Sequence, residues 1–227
     1  MAYEVFSRDT PRIRGVLFDM DGLVLDTEIL YQRFWMEAAH FYGCPMTHTQ
    51  ALGMRSIGAA DGAAKLHSWF GPDVSYHQIR AKRIELMDAY IAENGVIPKP
   101  GIRELLAFLK ERGIRTAIAT SSPLERARAH LGSRGLDVLF DQICSGRQVA
   151  NPKPAPDIYR FAAEGLGLDP AACLALEDSP AGIESAFRAG CFPVMIPDLD
   201  QPDRTTKGRL FAKCDSLADV IDLLEAL

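Results

Sequence analysis

The spacing of hydrophobic positions changes twice along this chain. Residues 13–18 close in an unbroken apolar run, Val16-Leu17-Phe18, which predicts a buried strand. Past a helix start at Asp26-Thr27-Glu28, apolar side chains recur at helical spacing. They are Ile29, Leu30, Phe34, Trp35, Ala38, Ala39 and Phe41-Tyr42, and Gly43 ends the run. Residues 57–70 and 79–91 predict two more amphipathic helices, and no strand pattern falls between 27 and 96. Ile97-Pro98-Lys99-Pro100-Gly101 is a stiff break. Beyond it, helices at 102–110, 125–131, 157–166, 181–189 and 217–224 alternate with extended segments at 114–119, 140–144, 173–176 and 192–196. Helices alternating with short, continuously apolar strands predict a parallel sheet covered on both faces. The expected layout is an α/β core of residues 1–26 and 97–227, interrupted after its first strand by an all-helical insert of residues 27–96.

Composition narrows the class. An apolar share of 48% with 24% charged residues is that of an ordinary globular protein, and 227 residues suit one large domain or a core with an insert. A net charge of −5 argues against a nucleic-acid binder working through a basic face. Five scattered cysteines without a Cys-x-x-Cys pair read as reduced, mostly buried thiols. The first fourteen residues resemble no secretory signal, and no stretch reaches the ~20 apolar residues of a membrane helix. A cytoplasmic, monomeric protein with no membrane partner is expected.

Chemistry-bearing residues gather where ligands bind in such a sheet, at the C-terminal ends of the strands. Asp19 and Asp21 follow the first strand and, two apart on an extended chain, share a face. Two close carboxylates call for a hard metal ion, a tuned acid/base, or both. The second core strand ends in Thr120-Ser121-Ser122, a later loop carries Lys153, and the strand at 173–176 ends in Glu177-Asp178-Ser179. Each has a plainer reading alone: a solvated Asp-x-Asp-Gly turn, a helix N-cap, a surface lysine, and a turn before Pro180 at a helix start. Their joint placement at one sheet edge favours a common site. An all-oxygen acidic set suits magnesium, while Lys153, the Thr120 hydroxyl and the Ser121 amide suit phosphate oxygens. A carboxylate such as Asp19 can attack phosphorus, and Asp21 can move the protons.

Four segments carry a family resemblance. They are Phe18-Asp19-Met20-Asp21-Gly22-Leu23-Val24-Leu25-Asp26-Thr27-Glu28, Thr120-Ser121-Ser122, Lys153-Pro154-Ala155-Pro156-Asp157 and Leu176-Glu177-Asp178-Ser179-Pro180-Ala181-Gly182-Ile183. Together they resemble the motifs of the haloacid dehalogenase superfamily, in the branch of β-phosphoglucomutase and small sugar-phosphate phosphatases. The resemblance spans nearly the whole chain and implies a Rossmann-like core with a helical cap that closes over substrate. It implies Asp19 as nucleophile, Asp21 as acid/base, and Thr120, Ser121 and Lys153 as phosphate holders. Mg2+ would lie on the Asp19 carboxylate, the Asp21 carbonyl and Asp178, with Glu177 helping through water. Arg55, in Gly53-Met54-Arg55, occupies the place of the cap-loop arginine that contacts a substrate's distal group, and a plain surface arginine is the competing reading.

The resemblance departs from the mutase at one position. A histidine of the mutase's first cap helix is matched here by Tyr31, and His40 and His48 fall out of register. Transfer to water, and so a phosphatase acting on a small phosphorylated metabolite, is expected ahead of a phosphomutase. A halide-displacing hydrolase would lack Asp21, and a non-catalytic binder would not need the full motif set. The charges Arg80, Lys82 and Arg83 read as a solvated helix face, and Trp35, Trp69 and Phe70 as core.

Overall fold

Seven strands form one sheet in the order β1-β7-β6-β5-β2-β3-β4. The computed structural model describes residues 3–7, 12–55 and 57–227. The strands are β1 Tyr3–Val5, β2 Gly15–Phe18, β3 Arg115–Thr120, β4 Gln142–Ser145, β5 Cys173–Glu177, β6 Phe192–Met195 and β7 Ala212–Cys214. Among the described residues ten α-helices accompany them. They are α1 Glu28–Phe41, α2 His48–Leu52, α3 Ala59–Phe70, α4 Tyr76–Asn94, α5 Ile102–Glu111, α6 Leu124–Gly132, α7 Asp157–Gly165, α8 Pro180–Ala189, α9 Arg204–Lys207 and α10 Asp219–Glu225. The chain divides into two units, Met1–Asp26 with Val96–Leu227, and Thr27–Gly95.

In the first unit every strand pair from β7 to β4 is parallel, as continuous apolar runs require when both faces are covered. β2 is central and fully buried, and its Phe18 lies opposite Ile118 of β3 and Leu176 of β5. This register brings the ends of three strands level, so Asp19, Thr120 and Glu177 emerge together. On one face, Leu17, Ala117 and Ala175 pack against Ile158, Ala162 and Ala163 of α7 and Ala186 of α8. α5 shows the helical logic plainly: Ile102, Leu105, Leu106 and Leu109, spaced i, i+3, i+4 and i+7, are its buried residues.

The sheet departs from an all-parallel expectation at one edge. β1 pairs antiparallel with β7, Tyr3 opposite Cys214 and Val5 opposite Ala212. β1 is the edge strand, held largely by backbone hydrogen bonds with its side chains partly or fully exposed. β7 lies between β1 and β6 with Ala212 and Cys214 buried, and its three residues are too few to show an apolar run.

In the second unit, Trp35, Ala38 and Ala39 of α1, Leu66 of α3 and Ile79 of α4 build a separate core. Trp69 and Phe70 pack against it at partial burial. No strand lies between residues 27 and 95 among those described. The short α2 was not expected, although its capping box, Thr47 with Gln50, was written in the chain. Arg83 departs from the solvated-face reading. It is buried, with its guanidinium 4.8 Å from the Tyr31 ring centroid and 5.3 Å from that of Trp35. Lys82 is also largely covered, its ammonium pairing with Glu85 at 2.6 Å and standing 4.7 Å from the Phe41 ring centroid.

All five cysteines are buried and unbonded. Among the described residues no helix is long and apolar enough to cross a membrane.

Candidate active site

The chain leaves β2 at Asp19, whose backbone N–H donates to the Leu176 carbonyl at 3.0 Å and so continues the ladder towards β5 by one residue. Gly22, at φ 87°, then turns the chain sharply, and its N–H returns to the Leu25 carbonyl. Asp19 is buried and Asp21 half-buried, so both carboxylates are held at the mouth of the sheet.

Lys153 joins two of the motifs physically. Its ammonium donates to Asp19 Oδ1 at 2.5 Å and to Glu177 Oε1 at 2.6 Å. Oxygen atoms of Asp19, Glu177 and Asp178 all lie within 4.8 Å of one another. Burial pushes the Asp19 carboxyl up to about 7. The nearby Lys153 charge opposes this, and the charges of Glu177 and Asp21 add to it. Burial pulls the Lys153 ammonium down, but the two carboxylates outweigh it and the net shift is upward. The plain surface-lysine reading therefore fails here.

The end of β3 supplies hydroxyls. Thr120 is buried and its Oγ1 accepts from the Ser122 N–H at 3.0 Å, while Ser121 is exposed. The N-cap reading of this segment does not hold. Pro123 occupies the cap position of α6 without a side-chain bond, and the Ser122 hydroxyl instead donates to Asp21 Oδ2 at 3.0 Å. Asp21 Oδ1 is buried and has no partner among the described residues. At the end of β5 the turn reading does hold, and it coexists with the site. Ser179 caps α8 by accepting from the Gly182 N–H at 3.1 Å, and its hydroxyl donates to Glu177 Oε2 at 3.1 Å.

The first unit thus brings together Asp19, Asp21, Thr120, Ser121, Lys153, Glu177 and Asp178. Arg55 lies in the second unit, where it pairs with Glu28 at 2.8 Å, both side chains 13% exposed. It is a paired, mostly covered cation rather than a plain surface arginine.

Sequence reasoning missed Tyr159 and, although it quoted Ser122, Ser179 and Gly182 within the motifs, gave those three no role. Tyr159 is fully buried and donates to Glu177 Oε1 at 2.5 Å. Its position on the apolar face of α7 marks it as core, and nothing local tells a hydrogen-bonding phenol from a packing ring. Ser122 stands inside a recognised motif, but only the fold brings it to Asp21. At Gly182 a Cβ would stand 1.9 Å from the Glu177 carboxylate.

The donor set fits a hard divalent cation. Three carboxylates converge where one ammonium balances them incompletely, one buried aspartate oxygen lacks a partner, and every side-chain donor is oxygen. Two carboxylates, a lysine and the Thr120 and Ser122 hydroxyls at the strand ends also suit chemistry at a phosphoryl group.

Comparison with known proteins agrees with this chemistry. A family model described as haloacid dehalogenase-like hydrolase matches residues 13–190. A phosphorylated carbohydrates phosphatase from Thermotoga maritima is 33% identical over 178 residues, covering 78% of this chain and 82% of the relative. Among solved structures, a Thermotoga maritima protein provisionally named a β-phosphoglucomutase superimposes with a TM-score of 0.79 at 28% identity. The match covers 95% of this chain and all of that one. CbbY from Rhodobacter sphaeroides, in complex with xylulose 1,5-bisphosphate, gives a TM-score of 0.72 at 28% identity over 91% of this chain and 96% of that one.

Proposed function

The chain belongs to the haloacid dehalogenase-like hydrolases, and on that premise we propose that it is a Mg2+-dependent phosphatase of small phosphorylated sugars or sugar alcohols. The observation that carries this reading is the buried Asp19 carboxylate held 2.5 Å from Lys153, with Asp21 two residues along at the same strand end. A relative named for phosphorylated carbohydrates and a neighbour solved with a sugar bisphosphate support the substrate class.

Asp19 attacks phosphorus, the ester P–O bond breaks, and the phosphoryl group becomes an aspartyl-phosphate. Asp21 gives its proton to the departing alkoxide. Ser122 already donates to Asp21 Oδ2, so the partnerless Oδ1 is the atom left to carry that proton. Water then attacks the aspartyl-phosphate and returns a proton to Asp21, which frees phosphate and restores Asp19. Lys153, the Thr120 hydroxyl and the Ser121 amide hold the phosphoryl oxygens. Mg2+ would be held by Asp19, Asp178 and the Asp21 carbonyl, with Glu177 acting through water. When bound it neutralises charge on the phosphoryl group and the carboxylates. Arg55 is the residue we assign to the distal part of the substrate.

A phosphomutase is the second reading, favoured by the structural match to the protein named a β-phosphoglucomutase. Tyr31 stands where that reaction uses a histidine, and its ring is packed against the Arg83 guanidinium. Transfer to water is therefore preferred.

The test is a panel of sugar and sugar-alcohol phosphates, scored for phosphate release and for isomerisation, with Asp19→Asn and EDTA as controls. Phosphate release that requires Mg2+ and vanishes in Asp19→Asn is expected. Full turnover in EDTA or in Asp19→Asn overturns the mechanism, and isomerisation without free phosphate reverses the ranking.

A further inference from the structure

The mechanism above uses Lys153 without saying what aims it. Lysine has three ammonium protons on a flexible stem, so a productive direction has to be imposed from outside. Three acceptors surround the nitrogen: Asp19 Oδ1 at 2.5 Å, Glu177 Oε1 at 2.6 Å and the Tyr159 phenol oxygen at 3.3 Å. The ring centroid of Tyr159 lies 4.9 Å from the same nitrogen.

Glu177 is held as tightly as Lys153. Its Oε1 accepts from Tyr159 and Lys153, and its Oε2 accepts from the hydroxyl and, at 3.4 Å, the backbone N–H of Ser179. The carboxylate lies against the first turn of α8, in the space a side chain at position 182 would fill. Glu177 is wholly buried, so its carboxylate oxygens need hydrogen-bond donors from the protein in place of water.

We propose that Tyr159 is a positioning residue for catalysis. Its hydroxyl donates to Glu177 and its oxygen accepts the third ammonium proton of Lys153, which fixes that ammonium on Asp19. This rests on the phosphatase reading for its consequence and on the contacts alone for its geometry. The 3.3 Å contact is the longest of the three around Lys153. It is the one that yields when a phosphoryl oxygen arrives, leaving the two carboxylate contacts in place. A phenylalanine at 159 would fill the same volume yet leave Glu177 Oε1 one donor short and Lys153 free to turn.

The test uses the full chain, labelled with 15N-lysine, as wild type, Tyr159→Phe, Glu177→Gln and the double variant. Lys153→Ala assigns the Lys153 side-chain resonance. In Tyr159→Phe the Lys153 ammonium resonance is expected to shift in metal-free, phosphate-free protein. On p-nitrophenyl phosphate with Mg2+, kcat is expected to fall about tenfold while KM changes less than about threefold, the size of one lost hydrogen bond to a charged group. In the double variant, Tyr159→Phe should add no further loss of kcat to Glu177→Gln, because both act through the same carboxylate. An unmoved Lys153 resonance in Tyr159→Phe overturns the proposal even where stability and kcat fall, since packing alone would then explain them. Multiplying losses in the double variant overturn it as well. Should Tyr159→Phe fail to fold, the resonance in Glu177→Gln decides: no shift there removes the link on which Tyr159 depends. A wild type without phosphatase activity sinks the functional reading and leaves the resonance test intact.

Discussion

Burial holds the Asp19 carboxyl near 7 although an ammonium stands 2.5 Å away, because Glu177 and Asp21 press in the same direction as desolvation. A carboxyl whose folded value exceeds its unfolded one stabilises the fold at low pH, and that contribution is lost as pH rises through the folded value. Metal-free protein should therefore lose stability between about pH 4 and pH 7 or 8, by an amount on the order of a few kcal/mol. Asp19→Asn should flatten that slope while abolishing turnover, which urea denaturation at several pH values will show. An unchanged slope would mean that Asp19 titrates normally. Gly182 is a second residue whose identity is fixed by a neighbour. Gly182→Ala drives a methyl into the Glu177 carboxylate and should cost about 1–3 kcal/mol by overpacking. Phosphatase activity should fall with it. Equal stability and activity to wild type would show that the carboxylate can move aside.

Among the elements, α8 has the most to do with chemistry, because Ser179 caps it and also holds Glu177. A simple cap lost to alanine costs about 1 kcal/mol. Ser179→Ala removes the cap and one donor to a buried carboxylate, so a larger loss is expected, roughly 2–3 kcal/mol. Denaturation of the variant checks it, and a loss well below 1 kcal/mol would mean solvent replaces both bonds. The helices were legible in the chain because their apolar residues recur every three to four positions, as in α5 and α7. The central strands were legible because β2, β3 and β5 are buried on both faces and read as apolar runs. β1 was not legible, since a sheet edge needs little more than backbone pairing, and β7 was not because Ala212-Lys213-Cys214 is too short to show a pattern. α2 was overlooked for being short, though Thr47 and Gln50 signalled its start.

For the whole molecule, the acidic excess at the strand ends should make binding of a divalent cation stabilising. Mg2+ should raise the melting temperature at pH 8, and the rise should shrink towards pH 5 as protons compete for Asp19. A thermal scan with and without the ion at both pH values will decide it. An equal shift at the two would place the ion elsewhere. The sequence by itself determined the central strands and the longer helices. It also determined that Asp19, Asp21, Lys153, Glu177 and Asp178 stand at strand ends or the loops beyond them, for periodicity and motif spacing are local properties of the chain. Only the tertiary structure decided who touches whom. Strand register brings Lys153 between residues 134 and 24 positions away. It turns Ser122 from a helix cap into a partner of Asp21, and it sets the Tyr159 hydroxyl against Glu177 and Lys153. These pairings join residues distant in sequence, and no local pattern records them.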